Sequence, residues 1–326
     1  MKALLLHDKG QWANMTLEEI ETPTPKSGEI LVEVHAVGLN PVDYKTATGG
    51  NPAWTYPHIL AVDVAGTVAA LGEGVTQWNI GDRVVYHGDF TKNGGYAEFA
   101  ITTAHSVSRI PESISYEEAV SLPCAGYTAY QALFRKLPLN NVKTIMIHGG
   151  AGGVGGFGVQ LAKLAGLEVF STASSHNHEY VKSLGADHVF DYREEDVTAK
   201  VMELTNGRGV DAVVDAVSRQ NATDSLDMLA YMGHMVYIAG APDFTKIKGF
   251  TKVVSYHEVA LNAAHQSDDQ LAQEDLAKMG DDMLSLLEQK KIKSLLEEVI
   301  TLEEVPAALV RLSERHVRGK IVAKVK

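Results

Sequence analysis

Apolar and polar positions follow two different rhythms along this 326-residue chain. Up to about residue 120 the apolar runs are short: Ala3–Leu6, Ile30–Gly38, Val62–Leu71, Arg83–Tyr86 and Tyr96–Ile101. Turn residues separate them, as in Pro23-Thr24-Pro25, Gly49-Gly50-Asn51-Pro52, Gly72-Glu73-Gly74, Gly81-Asp82 and Asn93-Gly94-Gly95. Short runs punctuated in this way predict a small all-β barrel or sandwich. From about 122 the rhythm lengthens. A helix is predicted over Leu122–Leu133, a strand over 144–149 and a helix over 154–165. Strands over Glu168–Ala173, His188–Tyr192 and Val210–Val217 then alternate with helices over His178–Leu184, Asp196–Thr205 and Ala222–Tyr231. Strands over Met235–Ala239 and Val253–Leu261 follow. Such alternation predicts a parallel sheet with helices on both faces. An amphipathic helix is predicted over Asp268–Gln289, and Lys320–Val325 reads as a strand placed to return to the first domain.

The first strand of the alternating part runs into Gly149-Gly150-Ala151-Gly152-Gly153-Val154-Gly155, where Gly150, Gly152 and Gly155 satisfy G-x-G-x-x-G. In a doubly wound fold the first such glycine makes the tight turn and the second lets the backbone approach a pyrophosphate. The third lets helix and strand pack closely. The pyrophosphate then sits at a helix N-terminus, whose free N–H groups and dipole favour an anion. The strand–turn–helix context marks Gly150 to Gly155, with Ala151, Gly153 and Val154, as the cradle of a dinucleotide. Specificity for NAD normally comes from an acid at the end of the second strand, on the ribose 2′-hydroxyl. Here that place reads Thr172-Ala173-Ser174-Ser175-His176-Asn177-His178, with no acid before Glu179. Ser174 and Ser175 can donate to phosphate oxygens and His176 can add charge, so NADPH is expected over NADH.

Composition narrows the partners. Hydrophobic residues make up 45% of the chain, enough for sizeable cores in the two domains its length suggests. A formal net charge of −12 argues against nucleic acid or an anionic membrane as the main partner, since both select basic patches. One cysteine, Cys124, excludes an intrachain disulfide and suits a reducing compartment. The N-terminus lacks the apolar length of a signal peptide and no run reaches the length of a membrane span, so the expected location is the cytoplasm.

Several further motifs stand in order: Gly38-Leu39-Asn40-Pro41-Val42-Asp43, Asp63-Val64-Ala65-Gly66-Thr67-Val68, Gly81-Asp82-Arg83-Val84 and Gly94-Gly95-Tyr96-Ala97-Glu98. Leu122-Pro123-Cys124-Ala125-Gly126-Tyr127-Thr128-Ala129-Tyr130, the glycine turn, Leu184-Gly185-Ala186-Asp187 and Arg318-Gly319-Lys320-Ile321-Val322 complete the set. Through these motifs the chain resembles the medium-chain dehydrogenase/reductases, and within them the zinc-free, zeta-crystallin-like quinone-reductase branch. The resemblance implies a GroES-like catalytic domain over 1–122 and 265–326, a Rossmann domain over 123–264, and a homodimer. It also locates the zinc-ligand positions of the superfamily's alcohol dehydrogenases. These read Asn40, Val62 and Cys124, and one soft ligand with an amide and a valine cannot form a tetrahedral zinc site.

Without a Lewis acid to polarise a carbonyl, the substrate must accept hydride readily by itself. Quinones and α,β-unsaturated carbonyl compounds do. The resemblance places Asn40, Asp43, Tyr44, Lys45 and Thr128 near the nicotinamide, with Asn40 orienting and Tyr44 or Lys45 donating to an oxyanion. It also makes Tyr192 a phosphate contact. Val217, Ala239 and Gly240 end strands whose carboxyl ends line the cofactor crevice of a doubly wound sheet. The expected activity is NADPH-dependent reduction of a small-molecule quinone or enone. Two alternatives stay open, an enoyl-thioester reductase and a non-catalytic NADPH-binding redox sensor or structural protein.

Overall fold

The computed structural model describes residues 1–326 except Asp268 and His316, so the first residue of the helix predicted over 268–289 lies outside the described residues. The chain forms two units, one of residues 1–127, 261–290 and 294–326, the other of residues 128–260 and 291–293. The first begins with an antiparallel pair, β1 (Lys2–Leu5) and β2 (Thr16–Glu19). There follow β3 (Glu29–Gly38), α1 (Pro41–Gly49), β4 (Asp63–Leu71), β5 (Arg83–His87), β6 (Phe99–Thr103), β7 (Ser108–Arg109) and α2 (Tyr116–Val120). Pro41 opens α1 at a position where its missing N–H costs nothing. Gly66 permits a close strand crossing: a Cβ there would collide with the Glu33 carbonyl of the neighbouring β3.

The helical stretch that ends the first unit's opening segment and begins the second unit departs from the predicted regular helix over Leu122–Leu133. Pro123–Tyr127 and Gln131–Lys136 are wound as π-turns around α3 (Thr128–Tyr130). Then come β8 (Thr144–Ile147), α4 (Gly153–Leu164), β9 (Glu168–Thr172), α5 (His178–Ser183), β10 (His188–Phe190), α6 (Val197–Leu204), β11 (Val210–Asp215), α7 (Arg219–Asp224), β12 (Leu229–Tyr237) and β13 (Ser255–Glu258). All six strands are parallel, in the order β10-β9-β8-β11-β12-β13. Counted within the unit, this is the 3-2-1-4-5-6 order of a doubly wound Rossmann sheet. Its order reverses between β8 and β11. The buried side chains of Met146, Phe170, Val201, Val213, Leu226 and Met235 form its core.

The helix predicted over Ala222–Tyr231 is corrected: α7 ends at Asp224, one 3₁₀ turn covers Ser225–Met228, and β12 begins at Leu229. Helical spacing of Ala222, Leu226 and Leu229 misleads here, because Leu229 and Ala230 are already buried on the sheet. Met232 adopts a left-handed φ of 59°, and the register against β11 shifts nearby.

The chain then returns to the first unit through α8 (Asn262–Gln266), α9 (Gln270–Glu288), β14 (Leu296–Thr301), α10 (Val305–Ser313) and β15 (Lys320–Lys324). Leu276, Met279, Met283 and Leu284 are buried residues of α9, which packs on β5 and β7. The main sheet of this GroES-like unit runs β14-β15-β3-β4-β5-β7, with β6 paired to β3. The expected return of the last strand is thus realised in the antiparallel register Val322↔Gly38, Ala323↔Val37 and Lys324↔Ala36. This pairing sets Lys320 beside the corner where β3 leads into α1.

Candidate active site

At that corner the first unit buries a charged cluster. Lys320 is 4% exposed. Its Nζ donates to Asn40 Oδ1 at 2.5 Å and to Leu39 O at 3.0 Å, and stands 3.5 Å from Asp63 Oδ2. Asn40 Nδ2 donates to Asp63 Oδ2 at 2.7 Å and to Gly38 O at 3.3 Å. The Cys124 N–H donates to Asp63 Oδ1 at 2.8 Å. Asp43 Oδ2 accepts from the Asn40 N–H at 2.8 Å and from the Tyr96 hydroxyl at 3.0 Å. Burial is the leading influence on both acids: it raises the Asp63 carboxyl and pushes Asp43 up to about 7. Two carboxyl groups thus share one ammonium, and the more weakly compensated Asp43 holds its proton to near neutrality.

Asp63, His87 and Cys124 bring three donor atoms within 4.8 Å of one another. Sequence spacing gave His87 no metal role, because its neighbours here come from β4 and from the turn after α2. The set does not fit a catalytic metal. Both oxygens of Asp63 are committed to N–H donors, and the Lys320 ammonium, 3.5 Å from Asp63 Oδ2, would repel a dication bound to that carboxylate. Burial also pushes the Cys124 thiol up, away from the thiolate that zinc binds. The resident cation of this cluster is Lys320.

The expected roles of Asn40, Tyr44 and Lys45 meet this geometry unequally. Both amide hydrogens of Asn40 are spent inside the unit, so it anchors the corner and has no donor left for a ligand. A narrow crevice, with about 10 Å³ of space open to water, runs along one side of α1. Val42, Asp43 and Thr46 line it, facing Trp54, His58, Phe90 and Lys92, whereas Tyr44 and Lys45 do not. The Tyr44 ring lies 5.6 Å from Trp12. Burial raises the Tyr44 phenol and lowers the Lys45 ammonium.

In the second unit the glycine turn caps β8 at the switch point. Its roles are redistributed relative to the expectation. The left-handed turn is made at Gly149, φ 69°, not at Gly150. Gly150 is required by packing instead, since a Cβ there would collide with Ser171 Oγ and press on Val181. Gly155 fits the expected close packing, its Cβ position being filled by the Gly149 carbonyl. At Gly152 the nearest atom to a Cβ is 3.4 Å away, so space stays open where α4 presents its first N–H groups. Thr172 holds the turn: its Oγ1 accepts from the Gly149 N–H at 3.1 Å and its carbonyl from the Gly150 N–H at 2.9 Å. Val217 lies beside Gly149, Gly240 takes φ 132° just after Ala239, and Thr128 is buried on α3, which packs on α4.

Beyond β9, Ser174 is half-buried while Ser175 and His176 are exposed, as is Tyr192 after β10. Two residues missed from sequence join this group. Asp191 accepts from the Ser175 N–H at 2.8 Å and from the Arg193 N–H at 2.9 Å. The Arg193 N–H holds the Asp191 carboxyl below the usual range. The exposed Arg193 guanidinium lies 5.4 Å over the Tyr192 ring. The only sequence signal was a basic residue next to Tyr192.

Comparison with known proteins agrees with both units. Residues 26–112 match the family model of the alcohol dehydrogenase GroES-like domain, and residues 153–281 that of the zinc-binding dehydrogenases. The chain is 32% identical over 324 residues to a chloroplast envelope quinone oxidoreductase homolog of Arabidopsis thaliana, covering 96% of this chain and 94% of the relative. The quinone oxidoreductase of Coxiella burnetii superposes with a TM-score of 0.86 at 31% identity, covering 100% of this chain and 99% of that one. A mycobacterial protein solved with NADPH gives 0.88 at 28% identity, covering 100% of both chains. The chain belongs to the medium-chain dehydrogenase/reductase superfamily, beside the zinc-independent quinone oxidoreductases. It is an oxidoreductase of that superfamily.

The cluster makes one strong demand on stability. Removing one partner of a buried pair strands the other charge, at a cost of about 3–5 kcal/mol. Lys320→Met is expected to lose stability by about that amount in chemical denaturation. Adding Asp63→Asn should restore most of it; a double variant as unstable as the single one would show that charge is not the cause.

Proposed function

We propose that this protein reduces a quinone or an activated alkene with NADPH and without a metal ion. The observation that carries the reading is the buried cluster in which Lys320 supplies the positive charge beside Asp63, one of the three donors that a metal would need. Bound NADPH supplies hydride. Ala151, Gly153, Val154 and Gly155 offer their backbone N–H groups to the pyrophosphate, while Gly150 and Gly152 spend theirs on Thr172 and Gly149 and shape the turn. Thr128, Val217, Ala239 and Gly240 border the nicotinamide half. Asn40, fixed at both ends of its amide, keeps the corner above α1 rigid. Among the described residues no helix is long and apolar enough to cross a membrane, in keeping with a small diffusible acceptor. NADPH oxidation over a panel of quinones, enones and enals is expected to show turnover that chelator leaves unchanged. NADPH binding without turnover on any acceptor would favour the redox-sensor reading, and loss of activity in chelator would reject the metal-free one.

The preference for NADPH rests on Ser174, Ser175, His176 and Tyr192, with Arg193 as the cation that would face the 2′-phosphate. Asp191 does not oppose it, because its carboxylate is turned onto the Ser175 and Arg193 N–H groups. Arg193→Ala is expected to weaken NADPH binding about tenfold or more, as loss of a charge-assisted hydrogen bond of about 1.5–3 kcal/mol implies. NADH binding should stay within twofold. Equal loss for both cofactors in fluorescence titration would reject the assignment.

The homodimer is proposed through β13. This strand ends the sheet order and pairs with β12 alone. Tyr256 on it meets Phe244 edge to face at 4.9 Å, and Tyr231, Met232, Phe250 and Val253 are exposed nearby. An open edge with apolar flanks is an aggregation hazard that pairing across a two-fold axis removes. Val259 donates inward to Tyr237 O, so alternation turns the Glu258 N–H outward. Light scattering is expected to find a dimer that Glu258→Pro weakens; a monomeric native protein would exclude it.

A further inference from the structure

Asp43 fills the third position of α1 and accepts from the N–H of Asn40, the residue that precedes the helix, as a capping acid does. Capping alone asks for neither burial nor a second donor, yet Asp43 is 4% exposed and also takes the Tyr96 hydroxyl. Both bonds fall on Oδ2. The residue forms part of the crevice wall opposite Trp54, His58, Phe90 and Lys92. Those four belong to the segments on either side of β4 and β5, in loops whose sequence carries no portable substrate code. The space open to water along the crevice, about 10 Å³, is on the scale of a single water. A buried carboxyl on the wall of a space of that size can serve chemistry by relay.

The charges around it favour a proton on Asp43. Asp63 on β4 is a second acid, and Lys320 on β15 is the one ammonium between them. Tyr96 and the Asn40 N–H support the ionised form but do not outweigh burial, and the carboxyl rises to about 7. On the crevice side, His58 is pushed down to about 4 by burial and is neutral, stacked on Trp54 at 4.2 Å. The remaining charge there is Lys92.

We propose that Asp43 is the proton reservoir of the reaction, passing its proton through a water in the crevice to the reduced acceptor. The inference rests on the reductase reading above. NADPH gives a hydride, and so two electrons, to the acceptor and leaves as NADP⁺. In an enone a C–H bond forms at the β-carbon and the π electrons move to an enolate. In a quinone the product is a hydroquinone anion. The Asp43 O–H bond breaks, the water hands a proton to the enolate carbon or the phenolate oxygen, and solvent reprotonates the carboxylate.

The test begins with Asp43→Asn, whose side-chain oxygen still accepts the Asn40 N–H. Its kcat is expected to fall about 100-fold or more, the usual worth of a positioned acid, with NADPH affinity unchanged. The native kcat should decline above pH 7 and that of Asp43→Asn should not. Tyr96→Phe removes a hydrogen bond that favours the carboxylate, so the decline should move to higher pH. Infrared spectroscopy of the native protein, with no acceptor present, should show a protonated-carboxyl band at pH 6 that fades above pH 8. If Asp43→Asn does not fold, the Tyr96→Phe shift and the infrared band decide the matter. A native pH profile retained in Asp43→Asn, a break unmoved by Tyr96→Phe, or absence of the band would overturn the proposal. A band present in a protein that turns over no acceptor would instead overturn the reductase reading, and the proposal with it.

Discussion

Everything in the first unit that bears on chemistry hangs from one buried ammonium. Lys320 reaches from the last strand to Asn40 at the end of β3 and to Asp63 at the start of β4. Its contacts convert three distant pieces of chain into one corner, and the corner sets where α1 begins. Burial of an ion is expensive unless partners replace its water. Here an amide oxygen, a backbone carbonyl and a carboxylate do so. Positive charge thus arrives at this corner covalently, on a side chain, with its position fixed by strand pairing.

What could be read from the sequence was what is encoded locally. The glycine turn, the alternation that makes a parallel sheet and the terminal strand each depend on neighbours a few residues apart, and all three are present in the structure. The shifts occurred where tertiary context overrides local pattern. Ala222, Leu226 and Leu229 keep helical spacing although the chain changes from helix to strand between them. The π-turns around Thr128–Tyr130 have no periodicity signal of their own. Side-chain meetings across the chain were invisible: Lys320 with Asp63, 257 positions apart, and His87 beside Cys124. Tyr44 and Lys45, placed near the nicotinamide by resemblance, sit on α1 beside Asp43 but do not line the crevice that Asp43 lines.

The cofactor cradle shows the same division of labour at smaller scale. Glycine identity is dictated at each position by a different neighbour, a backbone conformation at Gly149, a side chain at Gly150 and a carbonyl at Gly155. Beyond β9 and β10 two loops meet at Asp191, which spends its charge on the Ser175 and Arg193 N–H groups and so acts as a structural brace.

The return of β15 to β3 has a consequence for how the molecule is made. Residues 128–260 form the bulk of a unit with its own core, and they leave the ribosome before residues 294–326. Domains tend to fold as they emerge, usually in N-to-C order. Here the order inverts, because the N-terminal unit lacks β14 and β15 until residues 294–326 have emerged. During that interval β3 presents a bare edge at Ala36–Gly38, and Asp63 waits without its cation. The nascent chain therefore spends its most vulnerable period with its oldest segment unfinished, the stage at which a chaperone would find its hold.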